Sequence, residues 1–254
     1  MNDGTSVGGP NESFETTYWG ELLKARTQDE GRRTAVLNEL LQRYWKPVYC
    51  YLRRKGLNNE DAKDLTQGFF HEIVLGRRLI EQADPSKGRF RTFLLTALDR
   101  YVTSMHRAAT ARKRMPQAGI VHIEDFDSGV YMEATREAAP DDAFNYAWAV
   151  ELLNGALSEL ESECTSDGML THWRVFQARV LRPTLENTVA PPLSVVCAEC
   201  GISDETTASN MIITAKRRFQ ALLRRRVRLL VGGKESIDEE IRDLMRIFSG
   251  PRAG

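Results

Sequence analysis

Apolar residues recur at three- and four-residue steps along nearly the whole chain, and no stretch alternates with the period of two that a half-buried strand needs. The pattern predicts an all-α protein. A first helix, which Ser13 and Thr17 can cap, carries Trp19, Leu22 and Leu23. A second puts Leu37, Leu40, Leu41, Tyr44, Val48 and Leu52 on one face and is expected to kink at Pro47 and end at Gly56. Asn58 or Asn59 caps a third, with Asp61 in its first turn and a stripe of Ala62, Leu65, Phe69 and Ile73. Beyond the loop 83–89, the clearest period of all runs through Phe90, Phe93, Leu94, Ala97, Leu98, Tyr101, Val102 and Met105. These helices predict a first domain over residues 14–116, behind a terminus, 1–13, expected to be disordered.

The helical period fades over 117–142, which reads as a flexible acidic linker. A second helical domain, 143–232, follows. Phe144, Trp148, Leu152, Ala156, Leu157 and Leu160 mark one helix, and Met169, Trp173, Phe176 and Val180 mark the next, which is expected to stop at Pro183. After Pro191–Pro192 come a short helix from Ser194 to Cys200, then Gly201, then a long helix from Asp204 to about Arg228. The tail, 233–254, shows a capping box, Ser236-Ile-Asp-Glu239, for a helix with Ile237, Ile241, Leu244, Met245 and Phe248.

Charge changes this picture. Lys+Arg and Asp+Glu both number 35, so the formal net charge is zero, yet the signs are segregated. Thr206 to Lys234 holds eight Lys/Arg and no acid, whereas Ile120 to Cys164 holds eleven acids and only Arg136. Separate acidic and basic blocks suit different partners, and a basic block with helical patterning suits nucleic acid. No apolar run approaches the length that crosses a bilayer, and residues 1–12 lack the plan of a secretion signal, so a cytoplasmic protein is expected. Four cysteines are too sparse for a disulfide framework. Cys197-Ala-Glu-Cys200 has zinc-site spacing but falls inside a helix, where cysteine serves as a small core residue, so no metal is expected. No triad, metalloprotease or phosphate-loop pattern points to catalysis or to a cofactor.

The strongest candidate site is a helix-turn-helix. Gly201 supplies the sharp turn, Ile202 plugs the core, Ser203 caps the second helix, and Asp204 and Glu205 complement its dipole. That helix is expected to bury Ala208, Met211, Ile212, Ala215 and Phe219. It offers Thr206, Ser209, Asn210, Thr214 and Arg217 for the major groove, with Arg224, Arg225 and Arg226 for phosphates and Lys216 and Arg218 as further DNA-binding residues. An ordinary hairpin with a solvated basic face is the plain alternative; the acid-free run argues against it. A second candidate is Arg89, Phe90 and Arg91 with the basic end Arg107, Arg112, Lys113 and Arg114, a set able to stack on and neutralise a single strand. Phe93 and Tyr101 sit at core spacing instead.

Specific wording adds a resemblance. Tyr44-Trp-Lys-Pro-Val-Tyr49, Glu60-Asp-Ala-Lys-Asp-Leu-Thr-Gln67 with Phe69-Phe70, and Gly88-Arg-Phe-Arg-Thr-Phe-Leu94 resemble region two of bacterial extracytoplasmic-function (ECF) sigma factors. Residues 144–228, with Ala208-Ser-Asn210 and Thr214-Ala-Lys-Arg-Arg-Phe219, resemble region four, and the longer wording is similar to a planctomycete-like branch. The resemblance implies a non-enzymatic promoter-recognition subunit whose partners are core RNA polymerase and promoter DNA, without a cofactor of its own. An anti-sigma or other regulatory protein is a further partner class. It implies that Asp61, Asp64, Leu65, Gln67 and Phe70 dock on the polymerase clamp. It also implies that the loop 83–92 and a helix face with Arg100 capture the opened minus-10 strand, and that the linker with its seven acids runs toward the RNA exit path. The competing expectation is a helix-turn-helix regulator that binds duplex DNA without polymerase.

Overall fold

The computed structural model describes residues 30–75, 89–111, 129–231 and 234–249, and every regular element among them is helical. The expected first helix, most of the loop 83–92, and Arg112, Lys113 and Arg114 lie outside the described residues.

Helix α1 (Glu30–Arg54) passes through Pro47 without ending. It closes at Gly56, whose φ of 95° lets the Leu57 N–H reach back to the Leu52 carbonyl at 3.3 Å. Helix α2 (Asn59–Phe69) is capped by Asn58, which accepts from the Asp61 N–H at 2.9 Å, and runs on into a π turn, Phe70–Leu75. Helix α3 (Phe90–Ala111) lays Phe90, Leu94, Leu98, Tyr101 and Val102 against the other two. Aromatic edges lock this core: Tyr44 meets Phe90 at 5.5 Å and Phe69 meets Tyr101 at 5.6 Å.

Part of the stretch expected to be linker is helical and docked. Helix α4 (Gly129–Ala134) buries Tyr131, whose hydroxyl donates to Glu151 at 2.5 Å. Arg54 closes the end of α4 by donating to the Arg136 carbonyl at 3.0 Å and to the Met132 carbonyl. A single turn and a half of helix among acids leaves too short a period to recognise from sequence.

Helix α5 (Pro140–Ser166) is the spine, begun by Pro140, whose missing N–H costs nothing in a first turn. Its first half, with Phe144, Ala147, Trp148 and Leu152, belongs to the same core as α1, α2 and α3. Its second half, with Leu160 and Cys164, joins a second core of Trp173, Phe176, Ala215 and Leu222. Helix α6 (Leu170–Phe176) does not stop at Pro183: it loosens into a π turn, Gln177–Leu181, and resumes as an α turn, Arg182–Leu185. There Pro183 occupies a first-turn position, where its missing donor is harmless. Helices α7 (Leu193–Cys200), α8 (Glu205–Leu230) and α9 (Lys234–Ser249) complete the chain. Because α9 begins before Ser236, the Ser236–Glu239 box lies within its opening turns and is not its cap. Ile237 and Leu244 of α9 enter the first core beside Val227 and Leu230 of α8. Among the described residues no helix is long and apolar enough to cross a membrane.

Candidate nucleic-acid interface

The helix-turn-helix is built by two devices. Gly201, at φ 69°, ends α7 in the left-handed conformation, and the Ile202 N–H returns to the Cys197 carbonyl at 2.9 Å. Asp204, rather than Ser203, caps α8. Its carboxylate accepts from the Thr207 N–H at 2.8 Å and from the Thr207 hydroxyl at 2.7 Å, while Ser203 donates to it at 3.2 Å. These bonds, led by the Thr207 backbone, hold the Asp204 carboxyl below the usual carboxylate range. A small core of Val175, Val196, Cys197 and Ala208 pins α7 to α8, with Ile202, Met211 and Ile212 packed on it. Ala215 and Phe219 pack on the second core, so the inward face of α8 is as expected.

The outward face is only partly as expected. Thr206, Asn210, Lys216 and Arg217 are exposed, and Ser209 is half-buried. Thr214 donates its hydroxyl back to the Asn210 carbonyl at 2.9 Å, which uses its one hydrogen on its own helix. Arg218 is tied to Asp167 at 2.6 Å and Arg224 to Asp238 at 2.6 Å. Arg225 and Arg226 share Glu159, Arg226 at 2.9 Å. Arg218 and the three arginines assigned to phosphates are thus engaged by α5, α9 and the turn after α5. Lys216 and Arg217 make no ion pair among the described residues. An open cavity of about 650 Å³ lies against this face, lined by Arg179, Thr184, Thr188, Ser209, Ile213 and Lys216 among others, with no acid. Arg179 was not a candidate from sequence; it lies on a helix whose side toward α8 is set only by the fold.

The first half of the chain is rearranged in the same way. Asp61 and Asp64 are exposed on α2 and Gln67 is half-exposed, whereas Leu65 and Phe70 are core residues. Phe70 was expected to dock on the polymerase clamp; at the opening of the π turn it instead points inward, edge-on to Phe69 at 5.4 Å. Phe90 is fully buried between Tyr44 and Phe93 and offers no ring to a base. Arg89 reaches Glu240 at 2.8 Å and also contacts Asp243. Arg91 meets Glu240 at 2.7 Å, Asp243 at 3.1 Å and Asn145 at 2.6 Å, and lies 4.8 Å above the Trp148 ring. Arg100 and Arg107 are exposed around a shallow hollow with Asp99, Thr103 and Ser104.

The cysteines are all free; Cys50, Cys164 and Cys197 are buried, and burial pushes the Cys50 thiol up to about 12. Among the described residues no three His, Cys, Asp or Glu side chains are grouped to hold a metal ion. Comparison with models of protein families, with curated proteins and with solved structures finds no match to this chain.

The described surface therefore carries an outward helix face that is cationic and, beyond Glu205 in its first turn, free of acids. It carries a second set of arginines whose charge is met by the protein's own carboxylates.

Proposed function

We propose that the protein is a sigma factor of the ECF type, which binds core RNA polymerase and directs it to promoters. The observation that carries this reading is the helix-turn-helix. A left-handed glycine turn and an Asp204-capped helix present Thr206, Ser209, Asn210 and Arg217 together, with Lys216 and the acid-free cavity alongside. A helix N-terminus with small polar side chains, Asn and Arg has the reach for base edges, and flanking cations have the reach for phosphates. The region-two-like wording supports the polymerase part of the proposal, and the exposed Asp61 and Asp64 of α2 supply an acidic docking strip. Polymerase performs the chemistry, and the protein works in the cytoplasm.

A second reading is favoured by one observation: Phe90 is buried and Arg89 and Arg91 are internally paired, so the single-strand element is not presented in this conformation. A regulator that reads duplex DNA alone needs only the helix-turn-helix. Binding to purified core polymerase separates the two. The sigma reading expects a stable complex that Asp64→Arg weakens roughly tenfold or more, with the helical circular-dichroism signal unchanged. No complex with core, together with specific duplex binding by the protein alone, supports the regulator.

A further inference from the structure

The tail helix is the one element that the proposed function leaves without a task, and its polar side lies on residues which that function does use. Glu240 is 2% exposed and Arg91 10%, a dry centre flanked by the half-buried Arg89 and Asp243 at 27% and 21%. Arg89 and Arg91 together face Glu240 and Asp243, with Glu239 at the edge, 3.9 Å from Arg89. A guanidinium binds carboxylate and phosphate by the same two-pronged geometry, so these acids fill the place a nucleic-acid backbone takes. On the same side Phe248 of α9 covers the Tyr146 ring at 5.8 Å. Lifting α9 therefore uncovers two arginines, Asn145 and an aromatic ring in one patch, the groups that hold unstacked nucleotides.

We propose that α9 is a built-in latch, an intramolecular competitor whose carboxylates occupy Arg89 and Arg91 until single-stranded nucleic acid displaces it. This rests on the reading of Arg89 and Arg91 as a nucleic-acid element. Two physical features make the latch strong yet releasable. The short connection from Leu230 to Lys234 keeps the local concentration of α9 high, so a strand must outcompete a tethered rival. Against that, the desolvation of a buried ion pair offsets most of its Coulomb gain, and the apolar hold of α9 is two buried anchors, Ile237 and Leu244, with Ile241, Ile247 and Phe248 only half-buried.

The test uses the full chain and a fluorescein-labelled single-stranded oligodeoxynucleotide of roughly 12 nucleotides and mixed sequence, followed by anisotropy at low salt. Two variants open the latch by different means. Glu240→Gln with Asp243→Asn removes the competing charges, and Leu244→Ala loosens the anchor while leaving them in place. Both are expected to bind the oligonucleotide roughly tenfold or more tighter than the unaltered protein, because the competent state is no longer a minor one. Adding Arg89→Ala and Arg91→Ala is expected to abolish the gain. Hydrogen exchange over 234–249 in the unaltered protein is expected to rise when the oligonucleotide is added. Equal binding by the unaltered protein and both variants overturns the latch but leaves the nucleic-acid reading standing. A gain that survives loss of the arginines places the strand elsewhere and also overturns it. No binding by any form removes the nucleic-acid reading of Arg89 and Arg91, and the latch with it.

Discussion

Gly68 stands where the Tyr101 phenol leaves no space for a side chain: a Cβ there would lie 2.5 Å from the Tyr101 oxygen. Tyr101 is buried against Phe69 and cannot swing away freely. Gly68→Ala is therefore expected to destabilise the fold by about 1–3 kcal/mol, despite the helix preference of Ala over Gly of about 1 kcal/mol. In a Tyr101→Phe background, which deletes the obstructing oxygen, most of that loss should vanish. Denaturant midpoints across the four proteins check this, and an equal loss in both backgrounds refutes it. Asp99 offers a test by pH. The Tyr51 hydroxyl at 2.8 Å and Lys55 at 3.1 Å hold its carboxyl below the ordinary aspartate range. A carboxyl depressed on folding stabilises fully above its unfolded pKa and loses that contribution as pH falls through the folded one. The stability advantage of the unaltered protein over Asp99→Asn should thus shrink on acidification. A constant difference from neutral pH into the acid range contradicts the assignment.

At the scale of elements, α8 shows what helical spacing reveals and what it hides. Its spacing made its inward face legible, because Ala208, Ala215 and Phe219 recur at helical steps and do pack inward. The turn at Gly201 was legible for the same kind of local reason. What spacing does not contain is the partner. Glu159 stands far back in the chain on α5, and Asp238 lies ahead on α9, so the engagement of Arg224, Arg225 and Arg226 becomes visible only when those helices come alongside. The same reason hides the burial of Phe90 under Tyr44 and the pairing of Arg91 with Glu240. The cap moved by one residue, from Ser203 to Asp204, because both can accept and only the backbone path decides. The consequence is a sharp division of cations. Lys216→Ala is expected to reduce the slope of log affinity for duplex DNA against log salt by about one. Arg226→Ala is expected to leave that slope unchanged and to lower the melting temperature, since it abandons Glu159. Salt titrations read out the first, thermal denaturation the second. A slope change with Arg226→Ala at unchanged stability would return that residue to the DNA face.

For the whole molecule, α5 is the decisive element, because one half of it completes the core of α1, α2 and α3 and the other half completes the helix-turn-helix. The sequence period located the helices on both sides but could not show that they share this spine, since a buried helix with apolar residues on several faces looks the same whichever neighbours it has. The proposed function asks this body to do two things in order: read duplex through α8, then hold an opened strand through the patch now under α9. That order is the central claim, and it requires polymerase. Permanganate footprinting of a promoter selected from genomic DNA with purified core enzyme tests it most directly. Unpaired thymines near the start site, accompanied by transcript, are expected only when protein and core are both present, and Arg89→Ala with Arg91→Ala should reduce the reactive thymines more than it reduces closed-complex binding. If core with this protein opens no DNA and starts no transcript, while the protein alone protects specific duplex sites, the sigma-factor account is contradicted.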